Sequence, residues 1–202
     1  MATGPLPFGW KGLRMRVAAM RTMLAVGAGL AALALGTGAA APPAPDVTVT
    51  FVDDVPTDSF RIANTSLCDA TITAVTIDLA GSAGGLVFDT EAGGAGVNAF
   101  QPFGVRSGAA VVARASPVSD GDNVLTLAFS ALVPGAAVEV TIDVDDRLVE
   151  SPLGQALVSG SEISGAVVTA TITWATGERQ TASGIFGPDA VARVTARSCA
   201  MS

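Results

Sequence analysis

The chain reads as all-β: an antiparallel β-sandwich of eight to ten strands with immunoglobulin-like architecture. Three observations predict it. Segments with Val, Ile, Leu or Phe at every second position recur from VTVTFV at Val47 to VARVTA at Val191, and this is the period of half-buried strands. Turn-forming residues separate these segments at roughly the 8 to 12 residue spacing of a sandwich. Beyond residue 41 no stretch carries an apolar stripe at helical period.

The amino-terminal residues 1–40 form an export signal rather than part of the fold. Lys11, Arg14, Arg16 and Arg21 are followed by apolar MLAVGAGLAALAL from Met23 to Leu35, then by small residues in GTGAAA. That apolar run falls short of the about 20 residues that span a bilayer, so cleavage near Ala41 is expected, with no membrane span in the mature chain. Residues 41–46, APPAPD, are a Pro-rich spacer. The sandwich is placed over residues 47–197 and a short tail over 198–202.

Within the sandwich the strong strands are Val47 to Val52, Ala70 to Leu79, Val124 to Phe129, Val138 to Val144, Val167 to Trp174 and Val191 to Ala196. Weaker candidates are Ser59 to Ala63, Leu86 to Phe88, Ala109 to Ala115 and Thr181 to Phe186. DGDN at Asp120, LVPGAA at Leu132 and TGE at Thr176 supply turns. Two longer irregular stretches, Thr90 to Arg106 and Asp145 to Ser164, are where a binding surface is expected.

Composition removes several functions. Without the signal, seven Arg face 18 acids, a net charge of −11, which repels phosphate backbones and disfavours nucleic acid. The chain has no His and no Tyr, and its single Lys lies in the signal. A Ser-His-Asp triad, a His-ligated zinc and a Lys Schiff base are thereby excluded within it. Cys199 has no His to activate it as a nucleophile. A carboxylate-dependent hydrolase is a minor alternative, because Trp174 is the one aromatic platform of Trp or Tyr type left to bind a sugar. No catalytic residue is assigned, and the protein is read as non-enzymatic.

The stretch DLAGSAGGLVFDTEAGGAGVNAFQPF, Asp78 to Phe103, holds six glycines. It lacks GK[ST] and any strand–GxGxxG–helix context, so the glycines are assigned to turns and positive φ rather than to a phosphate cradle. Acids form three groups: Asp143, Asp145 and Asp146 in IDVDD; Asp53, Asp54 and Asp58 in VDDVPTD; and Asp78, Asp89 and Glu91 around the glycines. Calcium takes six to eight oxygens, often from strand-end carboxylates. Strand alternation puts Asp143 and Asp145 on one face and Asp146 on the other. The metal-ligand candidates are therefore Asp143, Asp145 and Asp146, helped by the loop acid Glu162. The competing reading is a solvated strand end.

Cys68 and Cys199, with no CxxC spacing, fit one structural disulfide in an exported protein. Asn64-Thr65-Ser66 matches the glycosylation sequon but reads more simply as a turn. Trp174 is assigned to core packing at a strand end.

DSFRIANTS, TIDLAGSAGGLVFDTEAGGAGVNAFQPF, TIDVDD and LVSGSEISGA occur here in the order in which they stand in small exported bacterial proteins labelled aggregation factor core proteins, a name borrowed from the sponge cell-aggregation factor. The chain resembles that family from about Thr48 to Thr195. The resemblance implies an all-β extracellular module of adhesion or matrix, with the calcium dependence of the sponge system, and it carries over no binding residue. The resemblance assigns no place to the two cysteines. The ending SCAMS carries no sorting tail, which favours secretion or loose surface association. The expected cofactor is thus calcium, and the expected partner an extracellular protein or polysaccharide surface, with self-association open. A structural envelope protein without a dedicated ligand is the main alternative.

Overall fold

The computed structural model describes residues 44, 46–54, 57–97 and 100–196. The expected signal at 1–40, most of the expected 41–46 spacer and the expected 198–202 tail lie outside them. Among the described residues no helix is long and apolar enough to cross a membrane.

The alternating segments become strands as expected. They are β1 (Val47–Val52), β2 (Ser59–Asn64), β3 (Ala70–Asp78), β4 (Val87–Asp89), β5 (Gly104–Ser107), β6 (Val112–Ala115), β7 (Val124–Leu132), β8 (Ala137–Thr141), β9 (Asp143–Asp145), β10 (Val167–Trp174), β11 (Arg179–Ile185) and β12 (Val191–Val194). Ten of them form two five-stranded sheets, β12-β1-β2-β8-β5 and β11-β10-β3-β7-β6, and β4 pairs with β9 in a separate ladder. Every pairing is antiparallel. The fold is a β-sandwich.

Period-2 burial explains the packing. In β1, Val47, Val49 and Phe51 are buried while the residues between them are not; β10 likewise buries Val168, Ala170, Ile172 and Trp174. In β3 the alternation slips by one between Ile72 and Val75, where its pairings to β7 and β10 carry a bulge. The extra residue lets both halves of the strand keep their apolar side chains inward. Phe60 lies at the centre, with ring centroids 5.0 Å from Phe51, 6.5 Å from Phe88 and 6.4 Å from Phe186. Such clusters contribute about 0.5 to 1.5 kcal/mol per aromatic pair beyond area burial.

The structure differs from expectation in several places: twelve strands form rather than eight to ten, and the expected strand Ala109 to Ala115 begins with a 3-10 turn at Ala109–Val111. The segment Val138 to Val144 is two strands, β8 pairing with β2 and β5 and β9 with β4, and Ile142 between them keeps the inward face of Val140 and Val144, fully buried. β5 arises inside the stretch expected to be irregular; its GVRS carries little apolar alternation and pairs with β8 through its backbone. A four-residue helix, α1 (Gly160–Ile163), begins at a capping box formed by Ser159 and Glu162.

The sequon residue Asn64 is buried, and its side-chain amide donates to the carbonyls of Ala70 and Leu132, each at 2.8 Å. That spends its nitrogen on holding the β2–β3 turn. Trp174 is buried at the end of β10. Cys68 is half-buried against the core just before β3, and no free cysteine is found among the described residues. Its expected partner Cys199 lies outside them.

Candidate metal centre

β4 and β9 carry the site because of what their central residues do. Phe88 and Val144 are cross-strand partners, both fully buried in the core. Their neighbours must then point to the opposite face, and those neighbours are Asp89, Asp143, Val87 and Asp145, with Asp89 paired directly to Asp143 and Val87 to Asp145. One carboxylate oxygen from each of Asp89, Asp143 and Asp145 lies within 4.8 Å of the others. Oxygens sharing one calcium at 2.3 to 2.6 Å can be at most about 5 Å apart, so the spacing suits a common ion.

These acids are buried, with relative exposures of 0% for Asp89, 7% for Asp143 and 1% for Asp145. Both oxygens of Asp89, Oδ2 of Asp143 and Oδ1 of Asp145 have no hydrogen-bond partner. Among the described residues the ion pairs are Arg106–Glu139 and Arg193–Asp189, neither at this site. Like charges opposite one another on a ladder are destabilising, and buried charges without partners more so. Burial first, then the neighbouring carboxylates, pushes Asp143 up to about 7 and Asp89 up to about 6, and it raises Asp145 as well. A hard divalent cation is the compensation an all-oxygen set suits.

The surrounding elements hold the set in place. On the far edge of β4, Phe88 N–H donates to the Asp122 carbonyl (2.8 Å) and Gly121 N–H to the Phe88 carbonyl (2.9 Å), which brings the DGDN turn alongside. Asp120 in that turn accepts hydrogen bonds from the N–H groups of Thr90 (2.9 Å), Glu91 (3.3 Å) and Ala95; these amides hold its carboxyl below the usual range. At the β8–β9 break, Asp58 Oδ2 accepts from Val144 N–H at 3.0 Å. Burial, then Asp53 and Asp143, pushes Asp58 up to about 8. Gln101 joins both paired acids through its backbone, donating to the Asp89 carbonyl and accepting from Asp143 N–H, each at 3.1 Å. Its side-chain oxygen is buried without a partner.

The glycine-rich loop completes the enclosure. Val97 N–H donates to Asp145 Oδ2 at 2.6 Å. A methyl group on Gly96 would lie 2.2 Å from Asp145 Oδ2 and 2.5 Å from Asp89 Oδ2, and one on Gly94 would fall on the Asp120 carboxylate. These two glycines do not have positive φ; close approach to carboxylates is what requires them. Turns and positive φ account for Gly85 and Gly93 as expected.

The expected ligand set is therefore divided. Asp143 and Asp145 come together, while Asp146 faces the other way, where its Oδ1 accepts from Leu148 N–H at 2.8 Å and its β-carbon, like that of Glu162, lies against Gly84. Glu162 is not grouped with the triad, because its carboxylate is engaged in the capping box. Oε2 accepts from Ser159 N–H (2.7 Å) and Oγ (2.6 Å), and Oε1 from Ser151 Oγ (3.2 Å). Asp89, from the opposite strand, takes the place expected of Glu162. Of the second acid cluster, Asp53 and Asp58 lie close enough to interact, and Asp54 adds to the charge on Asp53. No family model, curated protein or solved structure matches the chain.

Proposed function

We propose that this chain is an exported, non-enzymatic β-sandwich module of adhesion or matrix association whose fold is stabilised by calcium held between Asp89, Asp143 and Asp145. The observation that carries the proposal is the set of buried carboxylate oxygens with neither a hydrogen-bond donor nor a cationic side chain. An extracellular setting supplies the ion, so a site with a dissociation constant of about 0.1 to 1 mM would be filled there. Burial of the acids beneath Gly96 favours a structural ion over a hydrolytic pair, which must be open to substrate. The resemblance to aggregation factor core proteins and the acidic charge support an extracellular protein or polysaccharide partner.

The test combines localisation with a clumping assay. Protein recovered outside the cytoplasm should begin at Ala41 or within a few residues of it, and a deletion strain should lose calcium-dependent clumping that the secreted protein restores. Intact protein retained in the cytoplasm would overturn the export reading. Normal clumping without the protein would leave an envelope protein lacking a dedicated ligand.

A further inference from the structure

We infer that calcium at this site is enclosed rather than bridging, and that it regulates the module by locking the loop Glu91–Val97 as a strap over the carboxylates. The inference rests on the cation reading above and concerns how the ion would act. A cation that links a protein to a partner needs an open coordination position, and Asp89 and Asp145 expose 0% and 1% of their surface. Part of their cover is the glycine-rich loop. Gly96 lies in contact range of both carboxylates, and the outer side of the loop, Glu91 to Ala95, is exposed.

The strap is tied down chiefly by carboxylates. Ala95 N–H donates to Asp120, Val97 N–H to Asp145, and within the strap Gly94 N–H donates to the Glu91 carbonyl at 3.1 Å. Gly121 makes room for it, since a β-carbon there would sit 2.9 Å from that of Ala95. No large apolar side chain anchors residues 91–96, whose sequence is EAGGAG. Such a segment has little burial to hold it. Its closure depends on Asp145 and Asp89 staying together, and the repulsion among three carboxylates opposes that unless an ion draws them in. Calcium binding and strap closure are therefore one coupled equilibrium, and any partner that reads the strap binds more tightly when calcium is present.

The experiment uses the secreted domain with calcium, with chelator, and with terbium as a luminescent substitute. Expected are slowing of amide exchange at Ala95 and Val97 by at least about tenfold on adding calcium, and a terbium luminescence lifetime that reports about one inner-sphere water or none. Gly96→Ala, folded by circular dichroism, should bind calcium at least about tenfold more weakly and leave the strap exchanging fast in both conditions. Terbium that binds with several waters, or a strap equally protected with and without calcium, overturns the enclosed lock while leaving the cation site standing. Absence of any calcium or terbium binding defeats both readings. Loss of clumping activity alone does not enter this test.

Discussion

Asp89→Asn should exchange the behaviour of the domain with and without calcium. The substitution keeps the size of the side chain and removes one of three charges from a face where Asp89 opposes Asp143 directly. In the metal-free domain near pH 8 the wild-type carboxylate is ionised although its folded-state pKa is raised to about 6 from 3.8. That shift corresponds to about 3 kcal/mol if the group were wholly desolvated. Screening by nearby solvent reduces it to on the order of 1 to 2 kcal/mol. The variant should be more stable than wild type by that amount in chelator, or about 3 to 6 °C in melting temperature for a domain of this size.

With calcium the advantage disappears. Wild type gains about 2.7 kcal/mol at a hundredfold excess over its dissociation constant, whereas a tenfold weaker site gains about 1.4 kcal/mol at the same concentration. Melting curves of both proteins, in chelator and in about 10 mM calcium, measure all four states. The diagnostic outcome is a higher melting temperature for the variant in chelator together with a calcium shift about half that of wild type. An Asp89→Asn protein that is less stable than wild type in chelator, with an equal calcium response in both, would mean that Asp89 serves the fold and holds no ion.

Asp58, Asp143 and Asp89 have folded-state pKa values raised to about 8, 7 and 6, so the folded chain holds these protons more tightly than the unfolded one. Metal-free stability should thus be greatest near pH 4 and fall as pH rises to about 8; denaturant titration in chelator should show the fall, and calcium should reduce it. Glu162→Gln should lower stability by about 1 kcal/mol through the capping box while calorimetry finds calcium affinity within about twofold of wild type, a value that a lost ligand carboxylate would exceed. Asp46 accepts from Ser66 Oγ at 2.7 Å and from Ala196 N–H at 2.8 Å, which brings the chain near Cys199 to within a few residues of Cys68. Non-reducing peptide mapping should find the two cysteines joined, and reduction should lower the melting temperature, whereas two titratable thiols in the native protein would refute the bond.

Strands with one face in the core were legible because the pleat imposes its period on the sequence: VTVTFV and VVTATITW could hardly bury anything otherwise. β5 was not legible, since GVRS joins β8 by backbone bonds and shows half-exposed and exposed side chains. The same distinction runs through the site. IDVDD declared that Asp143 and Asp145 share a face, a local property of alternation. Asp89 belongs with them only through the register of β4 on β9, a pairing across 54 positions that no local pattern encodes. Glu162 seemed free to help because it sits in a loop; the spacing Ser159-x-x-Glu162 was the signal for a cap, and it claims the carboxylate for the helix start.

The glycines of the Asp78 to Phe103 stretch carry the argument one step further. Read as chain, they are turns, and Gly85 and Gly93 adopt the positive φ that reading requires. Gly94 and Gly96 do not; they are small because carboxylates occupy the space a β-carbon would need. A sequence that places Asp89 opposite Asp143, adds Asp145 beside them, and then lowers a glycine onto the group has removed water from charges that repel one another. Neutral packing offers no return for that arrangement, since apolar residues at these three positions would stabilise the ladder more simply. The ladder, the glycines and the unpartnered oxygens together suit a cation, and Asp89→Asn and Gly96→Ala each separate one of the three from the others.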